Sequence, residues 1–228
     1  MEWEFPDPRT IPGDLIGIGA DLEPATIIAA YERGIFPMPI RSRQLGWWSP
    51  ERRGILPLDQ LRVTRSLRKS CQHFEYTLNR SFDLVIQACM AQRRSGAWIS
   101  ESIEAAYRTL HRQGVAHSVE VQLDGELVGG LYGVAIGGLF AGESMFHLAR
   151  DASKAALCLL VHLMSDAPAP ATRLLDVQWK TEHLATLGVI EIDRVEYLER
   201  LEAARCLPPL DWTPRTLTLP AQGGVDQQ

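Results

Sequence analysis

The stretch between residues 117 and 146 constrains the fold of this 228-residue chain more than any other. Its first segment alternates apolar and polar side chains, as a strand with one buried face does. Asp124-Gly125 follows, which is a strong signal for a two-residue hairpin turn. The chain therefore predicts a three-stranded antiparallel meander, with strands at HSVEVQL (117–123), ELVGGLYGVAI (126–136) and LFAGESMF (139–146).

One acidic residue, Glu143, stands inside the apolar third strand. A carboxylate in such surroundings is costly unless it is paired, hydrogen-bonded or used in the protein's function. The neighbouring Ser144 does not form a serine-hydrolase motif, because G-x-S-x-G requires glycine where Phe146 stands. Glu143 is therefore a candidate site residue, whereas Ser144 is not a candidate nucleophile.

A buried helix is predicted after the meander. Asp151 precedes ASKAALCLLVHLM (152–164) in N-cap position, and apolar residues fill most of that helix surface. The elements predicted after it are LLDVQW (174–179), TEHLATLG (181–188), VIEID (189–193) and RVEYLERLEAAR (194–205), in the order strand, helix, strand, helix. The elements predicted before it are helices at 24–34, 81–92 and 101–114, and a strand that runs into a basic helix at 59–70.

Two helices, a meander, a buried helix, and then a strand, a helix and a strand match the acyltransferase fold of the GCN5-related N-acetyltransferases. The sequence therefore predicts an α/β (α+β) protein with such an acyltransferase domain at residues 80–228. For residues 1–79 the sequence predicts a smaller N-terminal domain, because proline, glycine and tryptophan are frequent there. We expect this domain to consist of packed loops, short strands and the basic start of a helix.

Composition and charge limit where the chain works and what it binds. Neither a secretory signal nor a run of eighteen apolar residues is visible, and the four cysteines form no C-x-x-C pair. We therefore expect a cytoplasmic protein with reduced cysteines and no membrane partner. The net charge of −5 argues against nucleic acid, yet eight basic and two acidic residues lie between Arg41 and Lys69. This local excess indicates either a phosphate-binding surface or ordinary solvated arginines.

The junction between the third meander strand and the buried helix distinguishes between acyl donors. N-acetyltransferases cradle the pyrophosphate of coenzyme A there, in a glycine-rich loop of the type Q/R-x-x-G-x-G/A. Here the junction reads MFHLARDASKAAL and contains no glycine, so its backbone cannot approach a pyrophosphate in the usual way. The sequence therefore predicts an acyl donor other than coenzyme A.

A series of motifs, in order from about Gly17 to Arg194, resembles the bacterial leucyl/phenylalanyl-tRNA–protein transferase family. The motifs are GWWSPERRGILPL, RSLRKS, AWIS, AAYRTLHRQGVAHSVEV, LVGGLYGVAIGGLFAGESMF, ASKAAL, LLDVQ and HLATLG. The block from Ala116 to Phe146 is highly specific. The resemblance implies the same fold, and transfer of leucine or phenylalanine from aminoacyl-tRNA to proteins that begin with arginine or lysine. The product would be a degradation signal of the N-end rule pathway.

The resemblance also implies catalytic roles for three residues. Asp176 and Gln178 resemble the pair that readies the incoming α-amine, and Glu143 resembles the acid that holds the N-terminal residue of the acceptor. Because a neutral amide cannot act as a base, we expect Gln178 to orient the amine while Asp176 polarises Gln178. The alternative for both acids is a purely structural pairing.

The donor amino acid requires an apolar pocket, and the resemblance places it on the meander strands and the buried helix. Its predicted residues, which by composition alone would be ordinary core, are Leu131, Phe140, Met145, Leu160 and Met164. Such a pocket should accept leucine and phenylalanine, and methionine less well, because discrimination at the scale of a methylene group is weak.

Contacts with the tRNA are implied as well. Three tryptophans would stack against the terminal adenosine, although core packing is the alternative for the first two: Trp47, Trp48 and Trp98. Four basic residues would bind acceptor-stem phosphates without reading the sequence: Arg62, Arg65, Arg68 and Lys69. We therefore expect an enzyme without cofactor or metal, whose partners are leucyl- and phenylalanyl-tRNA and acceptor proteins with N-terminal arginine or lysine, and not DNA.

Three alternatives remain open at this point. An N-acetyltransferase that uses acetyl-coenzyme A conflicts with the glycine-free junction. A peptidoglycan aminoacyltransferase shares the fold and the donor type, but that class usually has two such domains and this chain is short. A non-catalytic tRNA-binding protein offers no reason for the GESMF and LLDVQ segments.

Overall fold

The computed structural model describes residues 3–41, 44–91 and 100–220. Its strands are β1 (Leu15–Ile18), β2 (Phe36–Arg41), β3 (Gln44–Trp48), β4 (Arg52–Ile55), β5 (Glu75–Leu78), β6 (Ala116–Leu123), β7 (Glu126–Ile136), β8 (Leu139–His147), β9 (Leu174–Gln178), β10 (Ile190–Asp193) and β11 (Arg215–Leu217). Its helices are α1 (Pro24–Tyr31), α2 (Arg65–Cys71), α3 (Phe82–Ala91), α4 (Glu101–Arg112), α5 (Ala152–Asp166), α6 (Glu182–Thr186) and α7 (Arg194–Arg205). Within these residues no helix is both long enough and apolar enough to cross a bilayer.

The predicted meander is confirmed as β6, β7 and β8. Asp124 and Gly125 both have positive φ angles, 53° and 80°, as a type I′ hairpin turn requires. The helix, strand, helix, strand and helix predicted after the meander are also confirmed, as α5, β9, α6, β10 and α7.

The meander is the centre of an eight-stranded sheet. The strand order is β10-β4-β9-β8-β7-β6-β5-β11. Adjacent strands of this sheet are antiparallel, except that β8 and β9 are parallel. Strands β1, β2 and β3 form a separate three-stranded antiparallel sheet.

Helices cover both faces of the large sheet. Side chains that follow one another along a strand point to opposite faces. On β8 Phe140 packs with residues of α2 and α5, whereas Ala141 packs with residues of α1, α3 and α4. Leu131 and Tyr132 on β7 divide in the same way. We call the two sides the α5 face and the α4 face.

Two local predictions are wrong. Residues 61–64 form no strand, because they find no ladder partner, and α2 begins after Thr64, whose Oγ1 accepts from the Leu67 N–H at 3.2 Å. Asp151 has a left-handed backbone (φ 66°) and its carboxylate does not cap α5. Its Oδ2 accepts instead from Ser70 Oγ at 3.0 Å, so Asp151 links α5 to α2.

The large sheet takes strands from both sides of the predicted division at residue 79. Strand β4 pairs with β9 and β10, and β5 pairs with β6 and β11. The α/β (α+β) class is confirmed. The likeness to the N-acetyltransferase fold and the division into residues 1–79 and 80–228 stay predictions.

Candidate active site

The predicted catalytic residues come together where β8 and β9 run side by side. Ala141 is aligned with Asp176, and the pairing of the two strands ends there although β8 continues to His147. Glu143 and Gln178 each lie two residues beyond this last aligned pair. Their side chains meet, with Gln178 Nε2 at 3.4 Å from Glu143 Oε1.

A β-bulge interrupts each strand at this level. The alignment of β8 with β7 shifts by one residue at Glu143, which has no partner on β7. The alignment of β9 with β4 shifts by one residue at Val177, and Gln178 after it has a left-handed backbone (φ 59°). Bulges redirect side chains near active sites, and a positive φ outside glycine is an energetic cost that functional sites often carry.

Glu143 lies on the α4 face among tyrosine hydroxyl groups. Tyr31 Oη, from α1, donates to Oε1 at 2.6 Å, and Tyr107 Oη, from α4, donates to Oε2 at 3.0 Å. The two phenol oxygens lie 2.6 Å apart. Burial raises the pKa of both phenols well above their ordinary value, so they stay protonated and act as donors.

The number of hydrogens around Glu143 links this cluster to pH. Three O···O contacts join Tyr31, Tyr107 and Glu143, and each needs one hydrogen to be a hydrogen bond. The two phenols have only two hydroxyl hydrogens between them. Protonation of the carboxyl supplies the third. Burial raises the pKa of Glu143 to about 7, and the Asp176 charge adds to this, while the tyrosine hydrogen bonds and the Arg53 charge oppose it. Glu143 therefore changes charge near neutral pH.

Asp176 is fully buried, and its carboxylate is saturated with hydrogen bonds. Arg53 binds it through two nitrogens, Nε to Oδ1 at 2.9 Å and Nη2 to Oδ2 at 2.6 Å. Tyr197 Oη donates to Oδ2 at 3.0 Å, and the Gln178 backbone N–H donates to Oδ1 at 2.9 Å. These four bonds fill the acceptor sites of a carboxylate. In this arrangement Asp176 holds the backbone of Gln178 and has no site left for a substrate proton.

Arg53 belongs to the support of the site, although the sequence groups it with the basic cluster. It is 1% exposed and lies over the rings of Phe36, at 4.8 Å, and Tyr197, at 4.3 Å. Burial lowers its pKa, but the charge and hydrogen bonding of Asp176, together with Tyr197 and Tyr31, outweigh this, so the net shift is upward. The adjacent Arg52 is exposed. Of the two consecutive arginines only Arg52 reaches the surface, and there it pairs with Asp193.

The three predicted stacking tryptophans have different outcomes. Trp47 is 1% exposed, packs edge-on against Phe5 with 4.8 Å between ring centroids, and donates its indole N–H to Gly19 O at 2.8 Å. It is a core residue without a free ring face, which contradicts its predicted role. Trp98 lies outside the described residues. Trp48 is half-buried, and its stacking role stays a prediction.

Trp179 joins Trp48 beside the site, and the sequence reasoning missed it. Its ring lies edge-on to those of Trp48, at 6.1 Å, and Phe36, at 5.1 Å. Trp179 directly follows Gln178 and is half-buried. Its place after the LLDVQ segment was the available signal, but one aromatic residue at a strand end is not distinguishable from core by pattern alone.

The residues predicted to line the donor pocket belong to one apolar cluster on the α5 face. Leu131 on β7 is aligned with Met145 on β8, and Phe140 also lies on β8. Leu160 and Met164 come from α5. Met145 is half-buried and the other four are buried. The structure thus groups the five side chains, while their contact with a donor amino acid stays a prediction.

The predicted phosphate-binding residues lie on α2 and just before it. Arg62, Arg65 and Lys69 are exposed and Arg68 is half-buried. None of these four takes part in an ion pair with another described residue. Within residues 3–41, 44–91 and 100–220 their charges are therefore not neutralised by an acid.

Four further residues around the catalytic candidates were not predicted: Tyr31, Tyr107, Arg53 and Tyr197. Tyr107 lies in AAYRTLHRQG and Arg53 in GWWSPERRGILPL, so the motifs contained them. From sequence alone, however, a tyrosine on the apolar face of a helix is interpreted as a core residue, and an arginine next to another arginine is interpreted as a surface residue. Only the tertiary contacts separate these roles.

Comparison with known proteins shows the family to which the chain belongs. A model described as leucyl/phenylalanyl-tRNA protein transferase matches residues 55–202, and the model of that family's N-terminal domain matches residues 20–51. The chain is 46% identical to the leucyl/phenylalanyl-tRNA–protein transferase of Pseudoalteromonas atlantica over 226 residues, which cover 95% of each chain. It is 44% identical to the protein of the same name in Tolumonas auensis, with 94% of each chain covered, and 46% identical to that in Sulfurimonas denitrificans, with 88% covered. The chain belongs to the leucyl/phenylalanyl-tRNA–protein transferase family and is an aminoacyltransferase.

Proposed function

We propose that this protein moves leucine, phenylalanine and, less well, methionine from aminoacyl-tRNA to the α-amine of proteins that begin with arginine or lysine. The product would be an N-end rule degradation signal, formed in the cytoplasm. The observation that carries the proposal is the position of the Glu143 carboxyl, which lies among the hydroxyls of Tyr31 and Tyr107 with its Oε1 at 3.4 Å from Gln178 Nε2.

Glu143 binds the cationic N-terminal residue of the acceptor. In its ionised form the carboxylate accepts from Tyr31, Tyr107 and Gln178, which leaves an acceptor site open. An ammonium or guanidinium group donates to that site and brings a positive charge, and charge-assisted hydrogen bonds are about twice as strong as neutral ones. A neutral N-terminal side chain supplies only part of this interaction, which gives the preference for basic residues.

The chemical step joins the acceptor nitrogen to the carbonyl carbon of the donor ester. The neutral α-amine attacks that carbon, the bond to the ribose oxygen breaks, and the proton lost by nitrogen leaves with the tRNA hydroxyl. An α-amine with a pKa near 8 is partly neutral at physiological pH, so the step needs positioning more than a strong base. The ester is already activated, and no cofactor is required.

Gln178 orients the amine, and Asp176 acts through Gln178. The Asp176 carboxylate is held by Arg53 and Tyr197 and in turn holds the Gln178 N–H at 2.9 Å. We therefore treat Asp176 as a positioning residue and Gln178 and Glu143 as the groups that touch substrate.

The remaining sites bind the donor. The apolar cluster on the α5 face receives its side chain, with Leu131, Phe140, Met145, Leu160 and Met164 as the lining. Trp48 and Trp179 offer aromatic surface to the terminal adenosine. The basic residues on and before α2 bind acceptor-stem phosphates, so the enzyme reads the aminoacyl group and the 3′ end more than the tRNA sequence.

Mass spectrometry of an arginine-starting peptide, after incubation with the protein and leucyl-tRNA, tests the proposal. Two matched reactions contain an alanine-starting peptide, or acetyl-coenzyme A in place of the charged tRNA. We expect one leucine on the arginine peptide and no change in the other two. Equal addition to the alanine peptide would refute the acceptor preference, and an acetyl group in the third reaction would refute the donor assignment.

A further inference from the structure

The C-terminal segment, residues 207–219, covers part of the α5 face. Leu210, Trp212, Leu217 and Leu219 pack on the cluster that contains the predicted pocket residues. The segment also adds strand β11 to the free side of β5. Two kinds of contact, apolar packing and a β ladder, therefore fix its path along the sheet.

Trp212 is the centre of this covering. Its ring lies flat on His117, with 4.3 Å between centroids and 4° between planes, and its carbonyl accepts from Asn79 Nδ2 at 2.6 Å. Burial lowers the pKa of His117 to about 3, so that ring is neutral and presents an aromatic face to Trp212. Trp212 also lies beside Phe140, with 5.4 Å between the ring centroids.

Phe140 is confined on two sides. Its ring lies across Gly133 on β7, where an added Cβ would come within 2.5 Å of Phe140 Cε1. Trp212 lies against the same ring. Because protein interiors are closely packed, a ring held between a strand backbone and an indole cannot yield without displacing one of them.

We infer that Trp212 is a specificity-determining residue for the donor, one that acts by holding Phe140 in place as a wall of the aminoacyl pocket. The inference rests on the proposed function, since it assumes that the cluster around Phe140 receives the donor side chain. Trp212 itself need not touch the donor. It is a positioning residue outside the meander and α5, on a segment that closes the pocket from behind.

The direction of the effect follows from size. When a smaller side chain replaces Trp212, the Phe140 ring can tilt into the vacated space, because a cavity beside a buried ring costs free energy that relaxation reduces. The pocket then deepens, and the larger phenylalanine gains relative to leucine. We expect a shift of about tenfold in the ratio of the two products, the lower end of what a change of one methylene in an apolar pocket produces.

The experiment is a competition in one tube. Leucyl-tRNA and phenylalanyl-tRNA compete for one arginine-starting peptide, and mass spectrometry gives the ratio of the two products. This ratio does not depend on the fraction of enzyme that is folded, so loss of stability alone cannot change it. The variants are Trp212→Leu, Trp212→Ala and the conservative Trp212→Phe. The indole Nε1 has no hydrogen-bond partner among the described residues, so Trp212→Phe removes only packing.

Leu217→Ala is the matched control. Leu217 lies on β11 of the same segment and packs on the same cluster, but β11 is four strands away in the sheet from β8, which carries Phe140. We expect an increased phenylalanine share for Trp212→Leu and Trp212→Ala, a near wild-type ratio for Trp212→Phe, and no change for Leu217→Ala. An unchanged ratio in the first two variants, or an equal shift in Leu217→Ala, would overturn the inference. Absence of both products with the wild-type protein would instead refute the proposed function.

Discussion

At the scale of single residues, Glu143 shows how one side chain sets a pH dependence. Its raised pKa, about 7, means that the carboxyl is largely neutral at pH 6 and largely ionised at pH 8. If the ionised form holds the acceptor, kcat/KM for an arginine-starting peptide rises with pH through about 7. A second rise near 8 comes from the acceptor's own α-amine. Glu143→Gln should lower kcat/KM and remove the first rise while keeping the second. Survival of the rise near 7 in the variant would contradict this assignment.

The raised pKa of Glu143 also makes the stability of the folded protein depend on pH. A carboxyl whose pKa is higher in the folded state than the ordinary 4.5 binds protons more tightly when folded. Its contribution to stability is therefore fully present below pH 4.5 and is lost as the pH rises to about 7. Glu143→Gln has no such loss. In thermal unfolding, the Tm of the variant relative to that of the wild type should be higher at pH 8 than at pH 5. An equal difference in Tm at both pH values would argue against a raised pKa.

Asp176 and Arg53 should be strongly coupled. Both are buried, and Asp176→Asn leaves the Arg53 guanidinium without its counter-charge, which typically costs about 3–5 kcal/mol. Denaturant unfolding measures this cost. The double variant Arg53→Met, Asp176→Leu should recover part of the stability but not the transfer activity, because the Gln178 N–H still lacks its acceptor. Recovery of activity in the double variant would show that the pair does not position Gln178.

At the scale of elements, α2 should carry a measurable share of tRNA binding. Arg65 and Lys69 are exposed and have no acidic partner among the described residues. Replacing each by alanine should reduce the slope of log K against log salt concentration by roughly 0.7–0.9. Arg52 is the matched control, because it is exposed but already paired with Asp193. Filter binding of leucyl-tRNA between 50 and 200 mM salt is a suitable measurement, about the range over which phosphate contacts weaken strongly. A slope unchanged in Arg65→Ala and Lys69→Ala, or reduced equally in Arg52→Ala, would place the phosphate contacts elsewhere.

The elements that were predictable from sequence are those whose signals are local. Alternation and the Asp124-Gly125 turn predicted the meander, and continuous apolar character predicted α5. Strand β5 was not predicted, and β4 was predicted only as one of several short strands without exact bounds, because a four-residue strand is defined by partners far away in the chain. The tyrosines on α1 and α4 lie 112 and 36 residues from Glu143 in the chain, so no spacing in the sequence could have paired them with it.

At the scale of the whole molecule, the eight-stranded sheet makes residues 1–79 and 80–228 depend on each other. Strand β4 lies between β9 and β10, and β5 lies between β6 and β11. Without residues 1–79 each of these places is empty, and unpaired backbone groups and apolar side chains are exposed along β9 and β6. Asp176 also loses Arg53, and Glu143 loses Tyr31.

We therefore expect that a fragment of residues 80–228 does not fold alone. Its thermal unfolding should lack the cooperative transition of the full chain, and co-expression with a fragment of residues 1–79 should restore that transition together with leucine transfer. Full-length protein cut by a protease at an inserted site in the exposed loop at residue 124 is the control, because that cut separates no strand from its sheet. A cooperative transition in the isolated 80–228 fragment would show that the sheet closes without β4 and β5, and that the division at residue 79 is a true domain boundary.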